Sequence, residues 1–178
     1  MANLEVNLKG GFMICNEKDA PIVLQKSYLF QNFGSSELDV IANIAKCRAY
    51  EAGETIFHQG ESADNFYIIG YGTVGLEVND NEDYESYPVV LASGDTFAES
   101  HFHLREQHLA TAIAKERSEI FSISYDALTE FLWNNPIAEL KFTKSLAIHL
   151  GRYCHHLIEG MMGHKVRLFV NEGISSFV

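Results

Sequence analysis

Between about Arg48 and Ile123 the chain consists of short runs rich in β-branched and aromatic residues, separated by turns that contain glycine and aspartate. Runs such as "ETIFH", "NFYIIG", "TVGLEV" and "SEIFSI" recur at intervals of roughly 8 to 12 residues, which is typical of all-β domains. This spacing predicts a β-sandwich or jelly roll over residues 48–123. The fold class expected is therefore mainly β with flanking helices.

Two helical patterns are expected before these strands, within an N-terminal segment of residues 1–47. The first is the patch "PIVLQKSYLFQNF". The second, "SSELDVIANIAKC", is amphipathic, because Leu38, Ile41 and Ile44 fall on one face, and Ser36 is its predicted N-cap. The segment therefore predicts helices that precede the roll.

A helical period returns after Ile123, so residues 124–178 form a third region. "SYDALTEFLWNN" predicts a helix capped by Ser124. Pro136 ends it and starts the next helix, since proline cannot continue a helix but suits its first turn. The second helix is predicted to reach about Gly160, and the tail "HKVRLFVNEGISSFV" is predicted to add a short strand.

The long helix carries an apolar heptad pattern, called the apolar stripe below. Its members are Leu140, Ala147, Cys154 and Met161, interleaved with Thr143, Leu150 and Leu157. A stripe of this period is typical of the seam between two paired helices. Because Ala, Thr and Cys are weak seam residues, packing on the chain's own β-roll is the alternative. We expect a homodimer through residues 136–160, lined by Leu140, Ala147, Leu150, Cys154 and Leu157.

The chain is acidic, with 24 Asp plus Glu against 13 Lys plus Arg and a formal net charge of −11. Duplex DNA and anionic membranes repel such a chain unless it has a local basic patch, and here the basic residues are scattered. No apolar run approaches the roughly 18 to 20 residues of a membrane span, and the N-terminus has no signal-peptide stretch. We therefore expect a cytoplasmic protein that binds neither DNA nor a membrane.

The three cysteines, Cys15, Cys47 and Cys154, are far apart and odd in number. They show neither the pattern of a disulfide framework nor a CxxC metal motif. The sequence therefore predicts no disulfide framework.

The run "YEAGETIFHQGESADNFYIIGYGTVGLEV" resembles the first half of a cyclic nucleotide-binding domain of the catabolite-activator and FNR type. The matching features are Gly53 and Glu54 before a strand, Gly60 and Asp64 in a turn, and Gly72 at a hairpin. Glycine suits such corners because it reaches positive φ without a steric cost. The resemblance spans about residues 25–160. It implies a double-stranded β-helix (jelly-roll) domain with a regulatory or sensor role.

The stretch "GDTFAESHFHLREQHLATA" occupies the position of that family's ligand cassette. The resemblance implies that Glu99 accepts a hydrogen bond from a ribose hydroxyl, and that the backbone after it and an arginine bind the cyclic phosphate. Two positions depart from the family pattern. Ala98 replaces a glycine, and His108, or Leu109 if the gap shifts by one, replaces the arginine. The candidate site residues are Gly94, Ala98, Glu99, Ser100, Arg105, His108, Leu109 and Ala110.

The missing arginine weakens the ligand binding that the resemblance implies. A charge-assisted hydrogen bond contributes about 1.5 to 3 kcal/mol, and an imidazole does not reproduce a bidentate guanidinium clamp. Arg105 is the nearby cation that could substitute. We expect weak or no binding of cyclic AMP and cyclic GMP near pH 7.5, strengthening toward pH 6 as His108 gains a proton. The alternatives are an empty pocket, another small molecule or a protein partner.

Three side chains in "HFHLRE" allow a second interpretation. His101 and His103 lie on one face if this segment is a strand, and Glu106 follows them. Two histidines and a carboxylate can bind Fe(II), Mn or Zn, as in a metal-dependent enzyme that resembles the cupins. Cupins also carry a later histidine, and nothing after residue 108 matches it. The favoured prediction is therefore a local structural role and no metal.

Two further observations bear on the class of function. The sequence contains neither a GxSxG motif nor a P-loop. About 18 residues follow Gly160, fewer than the winged helix–turn–helix that follows the long helix in transcription regulators of the family. We therefore expect a non-enzymatic sensor domain that does not bind DNA by itself.

Overall fold

The computed structural model describes residues 15–78, 89–99 and 107–171, and it confirms a mainly β roll with flanking helices. A short 3-10 helix (Glu17–Asp19), α1 (Ala20–Lys26) and α2 (Ser35–Ala42) precede the strands; α3 (Tyr125–Trp133) and α4 (Pro136–Asn171) follow them. The strands are β1 (Ala45–Tyr50), β2 (Thr55–Phe57), β3 (Asn65–Tyr71), β4 (Thr73–Glu77), β5 (Val89–Ala92), β6 (Thr96–Phe97), β7 (Thr111–Ala114) and β8 (Ser118–Ser124). They form two antiparallel sheets, ordered β1-β8-β3-β6 and β2-β7-β4-β5.

The β3–β8 pair at the centre of the first sheet is buried on both faces, because helices cover one side and the second sheet covers the other. In the β3–β8 pair, Ile68 lies opposite Phe121 and Ile69 lies opposite Ile120. Side chains alternate between faces along a strand, so Ile68 and Phe121 pack with the helices while Ile69 and Ile120 pack between the sheets. Burial of each such side chain stabilises the fold by about 1.5 to 3 kcal/mol.

The helical layer is held by aromatic contacts on the outer face of this sheet. The ring of Phe30, in the turn after α1, lies 6.1 Å from Phe66 and 5.7 Å from Phe142 between ring centroids. Ala138, Phe142 and Leu146 are all buried on α4. Their spacing of four residues places them on one helix face, which docks α4 onto the roll.

Gly72 forms the hairpin between β3 and β4 with a φ of +90°. A Cβ at this position would lie 2.3 Å from Ser118 Oγ and 2.7 Å from the Arg117 carbonyl oxygen. Only glycine therefore combines this left-handed conformation with so close an approach of β8. The glycine expected at this hairpin is confirmed, and Gly53 and Gly60 also have positive φ.

The helix caps differ from the sequence prediction. The helix α2 begins at Ser35 with Gly34 as its N-cap, so the prediction that Ser36 caps it is wrong. The carboxylate of Glu37 accepts a hydrogen bond from the Gly34 N–H at 2.6 Å, which is the bond that the N3 residue contributes to a capping box. Ser124 does occupy the N-cap of α3, but its hydroxyl makes no capping bond within the described part of the chain.

The long helix extends further than expected, from Pro136 to Asn171 rather than to about Gly160. The strand predicted in the tail is therefore wrong for residues 164–171, and residues 172–178 lie outside the described ranges. An internal glycine costs a helix only about 1 kcal/mol, and adding a residue to an existing helix is easy. Gly160 therefore does not end the helix. The run "VRLFV", although rich in β-branched residues, continues the helix that has already formed before it.

Cys15 and Cys47 form a disulfide, with their Cα atoms 5.6 Å apart. The cysteine pattern predicts no disulfide framework, and it did not reveal this single bond. The two residues are separated by 32 positions in the chain, and only the return of β1 beneath the N-terminal helices brings them together. Cys154 is exposed and free.

The apolar stripe of α4 points mostly away from the protein. Leu140 is 69% exposed, and Thr143, Ala147 and Cys154 are also exposed. Leu150 packs partly against the helical core, while the side chains of Leu157 and Met161 lie outside the described set. Packing of the stripe on the chain's own roll therefore applies to Leu150 but not to the exposed members.

Among the described helices, none combines the length and apolar character needed to cross a membrane.

The ion pair between Glu37 and Lys141 joins α2 to α4 and leads to a stability prediction. Lys141 Nζ lies 2.7 and 3.0 Å from the two Glu37 carboxylate oxygens. The hydrogen bonds from Lys141 and the Gly34 N–H lower the pKa of Glu37. We expect Glu37→Gln to reduce the free energy of unfolding by about 1 kcal/mol at pH 7, as measured by urea denaturation.

The pH dependence follows from the direction of this shift. Because the folded-state pKa is lowered, the contribution is fully present above the unfolded pKa and is lost as the pH falls through the folded value. The difference between wild type and Glu37→Gln should therefore shrink below about pH 4. Glu116→Gln removes an exposed carboxylate for comparison and should have little effect. Equal stability of wild type and Glu37→Gln at pH 7 would contradict the prediction.

Candidate ligand site

The candidate cassette begins at the turn between β5 and β6. Gly94 has a φ of +95°, and its N–H donates a hydrogen bond to the Ile69 carbonyl at 2.8 Å. The side chain of Asp95 accepts a hydrogen bond from the Ala92 N–H at 2.9 Å. The first bond ties the start of the cassette to β3 in the first sheet, and the second closes the turn onto β5 of the second sheet.

Ala98 adopts the left-handed backbone conformation that the family's glycine would favour. Its φ is +65°, and among the described residues no other non-glycine has a positive φ. The Tyr125 hydroxyl donates a hydrogen bond to the Ala98 carbonyl. The backbone of the cassette thus has a glycine-type conformation at this position although the residue carries a Cβ, which makes the conformation strained.

Glu99, which follows directly, contacts the helical layer. Its side chain is only 13% exposed, and Oε1 lies 3.3 Å from Nε2 of His149 on α4. The imidazole of His149 stacks on the Tyr28 ring, with centroids 3.8 Å apart and planes 12° apart. These three side chains form the Tyr28–Glu99–His149 network, which joins the cassette, the turn after α1 and the long helix.

The phenol of Tyr28 is neutral and can act as a donor in this network. Burial raises its pKa, and the nearby negative charge of Glu99 raises it further. Its oxygen accepts a hydrogen bond from the Thr96 hydroxyl at 2.6 Å, and its own proton is available to the Glu99 carboxylate. The acidic side chain of the cassette therefore has partners from within the protein on two sides.

His108, the residue predicted to stand in place of the family's arginine, lies in the core between the sheets. It is 4% exposed, and its ring stacks on Phe57 with centroids 3.6 Å apart. Tyr67 and Phe97 pack beside Phe57, at 5.3 and 5.9 Å. Burial raises the pKa of Tyr67 to about 12, so that phenol stays neutral. Aromatic side chains therefore occupy this part of the roll interior.

The remaining candidate residues have different environments. Leu109 is 70% exposed, and Ala110 is half-buried immediately before β7. Ser100 and Arg105 lie outside the described residues, as do the potential metal ligands His101, His103 and Glu106. Within the described ranges no three His, Cys, Asp or Glu side chains converge on a common point. The metal-dependent alternative therefore stays an untested prediction.

Sequence reasoning did not identify Tyr28 and His149 as parts of the site. His149 is separated by seven residues from the buried Phe142 on α4, so the helical period alone places it on the inward face. That position does not reveal its partner, since Glu99 is 50 residues away in the chain. Tyr28 lies in a turn with no motif around it, and no sequence signal singles it out.

Two antiparallel sheets closed into a roll, a cassette after a glycine turn and a long closing helix define a β-roll of the ligand-sensing kind. Residues 47–135 match the sequence profile of the cyclic nucleotide-binding domain. The chain belongs to that family, as the resemblance in the glycine-containing strands predicted.

Several known proteins with similar sequences or structures are bacterial transcriptional regulators. The "cAMP-activated global transcriptional regulator CRP" of Salmonella typhimurium is 29% identical over 102 residues, which are 57% of this chain and 49% of that protein. The chain thus matches about half the length of this relative. The sensor domain of the transcriptional regulator DNR from Pseudomonas aeruginosa is 24% identical, with a TM-score of 0.65, and the match covers 78% of this chain and 93% of that one. The catabolite activator protein of Thermus thermophilus is 22% identical, with a TM-score of 0.64, and the match covers 80% of this chain and 64% of that one.

The positive φ of Ala98 leads to a prediction that has opposite signs for two substitutions. We expect Ala98→Gly to raise the free energy of unfolding by about 0.5 kcal/mol, because relief of the Cβ strain exceeds the entropy that glycine adds to the unfolded chain. Ala98→Val should lower it by more than about 1 kcal/mol, since β-branched residues tolerate this region poorly. Urea denaturation measures both values.

A matched control is Ala49→Gly in β1, a residue without positive φ. There the added backbone freedom of glycine should destabilise the strand by roughly 0.5 to 1 kcal/mol. If Ala98→Gly destabilised the protein as Ala49→Gly does, the left-handed conformation assigned to Ala98 would be wrong.

Proposed function

We propose that this chain is a non-enzymatic regulatory sensor domain in which binding of cyclic AMP and cyclic GMP is weak or lost. Its family supports a sensor role, because cyclic nucleotide-binding domains detect a small ligand and pass the signal to a neighbouring element. The observation that carries the loss of affinity is the state of two cassette side chains. His108 stacks on Phe57, and Glu99 contacts His149.

The phosphate half of the proposed loss concerns His108. A cyclic phosphate needs a charged, bidentate partner that reaches it without further rearrangement. An imidazole that is 4% exposed and stacked on an aromatic ring would have to leave that ring to meet a ligand. This rearrangement would cost both the stacking and the hydrophobic contacts of the cluster. The pocket is therefore a poor match for a cyclic phosphate.

The proposed weakening of ribose binding concerns Glu99. A ribose hydroxyl would compete with His149 and Tyr28 for the same carboxylate. Exchange of one hydrogen bond for another brings little net free energy, so Glu99 would contribute less to binding than a carboxylate without such partners. The same contact also supports a route for signalling, because any movement of Glu99 acts directly on α4.

We further propose that α4 pairs with its copy in a second chain. The exposed members of the apolar stripe, Leu140, Thr143, Ala147 and Cys154, support this arrangement. Ile137, near the start of the same helix, is 72% exposed and would extend the contact. Leu140 and Ile137 are the large apolar side chains of this surface, and a contiguous exposed apolar patch is typical of an interaction site. The location proposed for the dimer is the cytoplasm.

Two alternatives are distinguished by simple measurements. A protein partner in place of a second copy would occupy the same stripe and leave the isolated chain monomeric. The metal-dependent enzyme built on His101, His103 and Glu106 would require about one bound metal ion per chain. Metal analysis of the purified protein tests that alternative.

Titration calorimetry with cyclic AMP and cyclic GMP tests the ligand proposal. At pH 7.5 we expect dissociation constants weaker than about 100 μM, since the arginine clamp is absent. Any binding should strengthen at pH 6 if His108 leaves Phe57 and gains a proton. The variant His108→Gln should then remove the pH dependence and leave the weak binding at pH 7.5 unchanged. Micromolar affinity at pH 7.5 that survives both Arg105→Ala and His108→Ala would show that the cassette is misplaced.

Light scattering in dilute solution tests the dimer. The chain has a mass of 20.0 kDa, so a dimer should give about twice this value. Ala147→Glu places a charge in the stripe without touching the buried face of α4, and it should convert the dimer to a monomer. Lys46→Glu, on exposed β1, makes a larger charge change elsewhere and should leave the dimer intact. A wild-type mass near that of one chain would exclude self-association through α4.

A further inference from the structure

A cleft lies between the turn after α1 and the long helix, outside the β-roll and its cassette. It has a volume of about 280 Å³ and is called the α4 cleft here. One wall is formed by Tyr28, Gln31 and Asn32, and the other by the face of α4 from Lys141 to Arg152. The buried Ser145 and the half-exposed Ile148 lie on the helix wall.

The charged groups of the α4 cleft are cationic, although the chain as a whole is strongly acidic. Lys141, Lys144 and Arg152 line it together with His149, and no carboxylate is among the lining residues. These positions fall within an arc of one helix face, given about 100° of rotation per residue. Three of the chain's 13 Lys plus Arg residues therefore meet in one cleft of a protein with a net charge of −11.

Two of these positive charges are not compensated nearby. Lys141 is paired with Glu37, and His149 contacts Glu99. Within the described part of the chain, Lys144 and Arg152 have no ion pair. Like charges brought together on one face repel each other unless a counter-charge lies between them. Among the described residues, Lys144 and Arg152 therefore present two unpaired positive charges to the cleft, which a ligand with two negative charges would contact.

The size and the neutral groups of the cleft narrow the class of ligand. Its volume is just below the range of roughly 300 to 1,000 Å³ typical of drug-sized sites, so a small molecule fits. Lys144 and Arg152 are two helix turns apart, about 12 Å along the axis, and Ile148 lies between them. The amides of Gln31 and Asn32 face them from the opposite wall and can donate hydrogen bonds.

We propose that the α4 cleft binds a small organic dianion, whose anionic oxygens contact Lys144 and Arg152 and whose carbon atoms contact Ile148. The shared chemistry of such ligands is that of phosphate monoesters and short dicarboxylates. Arginine can hold either group with two parallel hydrogen bonds, and lysine adds a point charge. Lys144, Arg152 and Ile148 are not residues of the candidate cassette, so the proposal does not require that cyclic nucleotides bind.

The cleft is also compatible with a dimer through α4. Its α4 residues centre on a helix face about 160° away from the centre of the apolar stripe. Pairing of two α4 helices along the stripe would therefore leave the cleft open. His149 belongs both to the cleft and to the Tyr28–Glu99–His149 network, so a bound anion would lie beside the cassette glutamate.

Calorimetric titration of the full chain with inorganic phosphate, glycerol phosphate and succinate, at low ionic strength, tests the proposal. We expect saturable binding of one dianion per chain, and weak or no binding of acetate. Lys144→Gln and Arg152→Gln should each weaken the affinity about 10-fold or more, the effect of losing one charge-assisted hydrogen bond. Higher salt should weaken binding as well, because the cleft is open to solvent.

Matched variants separate a site from general charge attraction. Lys46→Gln removes one positive charge at an exposed position of β1, away from the cleft, and should leave the affinity unchanged. Unchanged thermal unfolding of Lys144→Gln and Arg152→Gln would exclude loss of structure as the cause. Binding of the phosphates alone, or of succinate alone, would assign the ligand class. Absence of saturable binding by all three probes, or equal weakening by Lys46→Gln, would overturn the proposal.

Discussion

The pairing of β3 with β8 is the contact on which the rest of the structure depends. Because this pair is covered on both faces, Ile68 and Phe121 hold the helices while Ile69 and Ile120 hold the second sheet. The strand β6 adds to the free edge of β3 through two residue pairs. Ala98 and Glu99 follow β6 directly, so the same strand pair decides where the cassette meets α4. A change in this core would therefore act on both the helices and the cassette.

The two ends of the cassette have different surroundings as a result. Glu99 belongs to the helical side, where Tyr28 and His149 meet it, while His108 belongs to the aromatic core between the sheets. Membership of the family and the proposed loss of its ligand chemistry are compatible, because they depend on different residues. The roll needs the glycine corners and the apolar alternation, whereas recognition of a phosphate needs one or two charged side chains at set positions.

The long helix α4 has three faces that differ in chemical character. Its inward face binds the roll through Phe142 and Leu146, a neighbouring face carries Lys144 and Arg152, and a third face carries the apolar stripe. His149 lies at the boundary of the first two faces and contacts Glu99. Effects between the cassette and the cleft would have to be reciprocal, since a coupling free energy acts equally on both sites. The helix is thus the element on which the proposed functions converge.

The amino-acid sequence by itself determined the roll, its glycine corners and the position of Pro136 between two helices. These features are local, because each depends on residues that are close together in the chain. An alternation of period two predicts a strand, a glycine between strands predicts a turn with positive φ, and proline fixes its own φ. The departures of Ala98 and His108 from the family pattern were visible for the same reason. Only the tertiary structure decided what those residues meet.

The contacts that define the site join positions far apart in the chain, and their partners are therefore not visible in any local pattern. Glu99 meets His149, His108 stacks on Phe57, and Cys15 bonds to Cys47. The prediction that α4 ends at about Gly160 was wrong because it rested on weak local preferences, those of one glycine and of the β-branched residues after it. A long helix that has already formed overrides such preferences. Local chemistry thus specified the elements of this protein, while the packing of its first sheet selected the pairs of side chains that face one another.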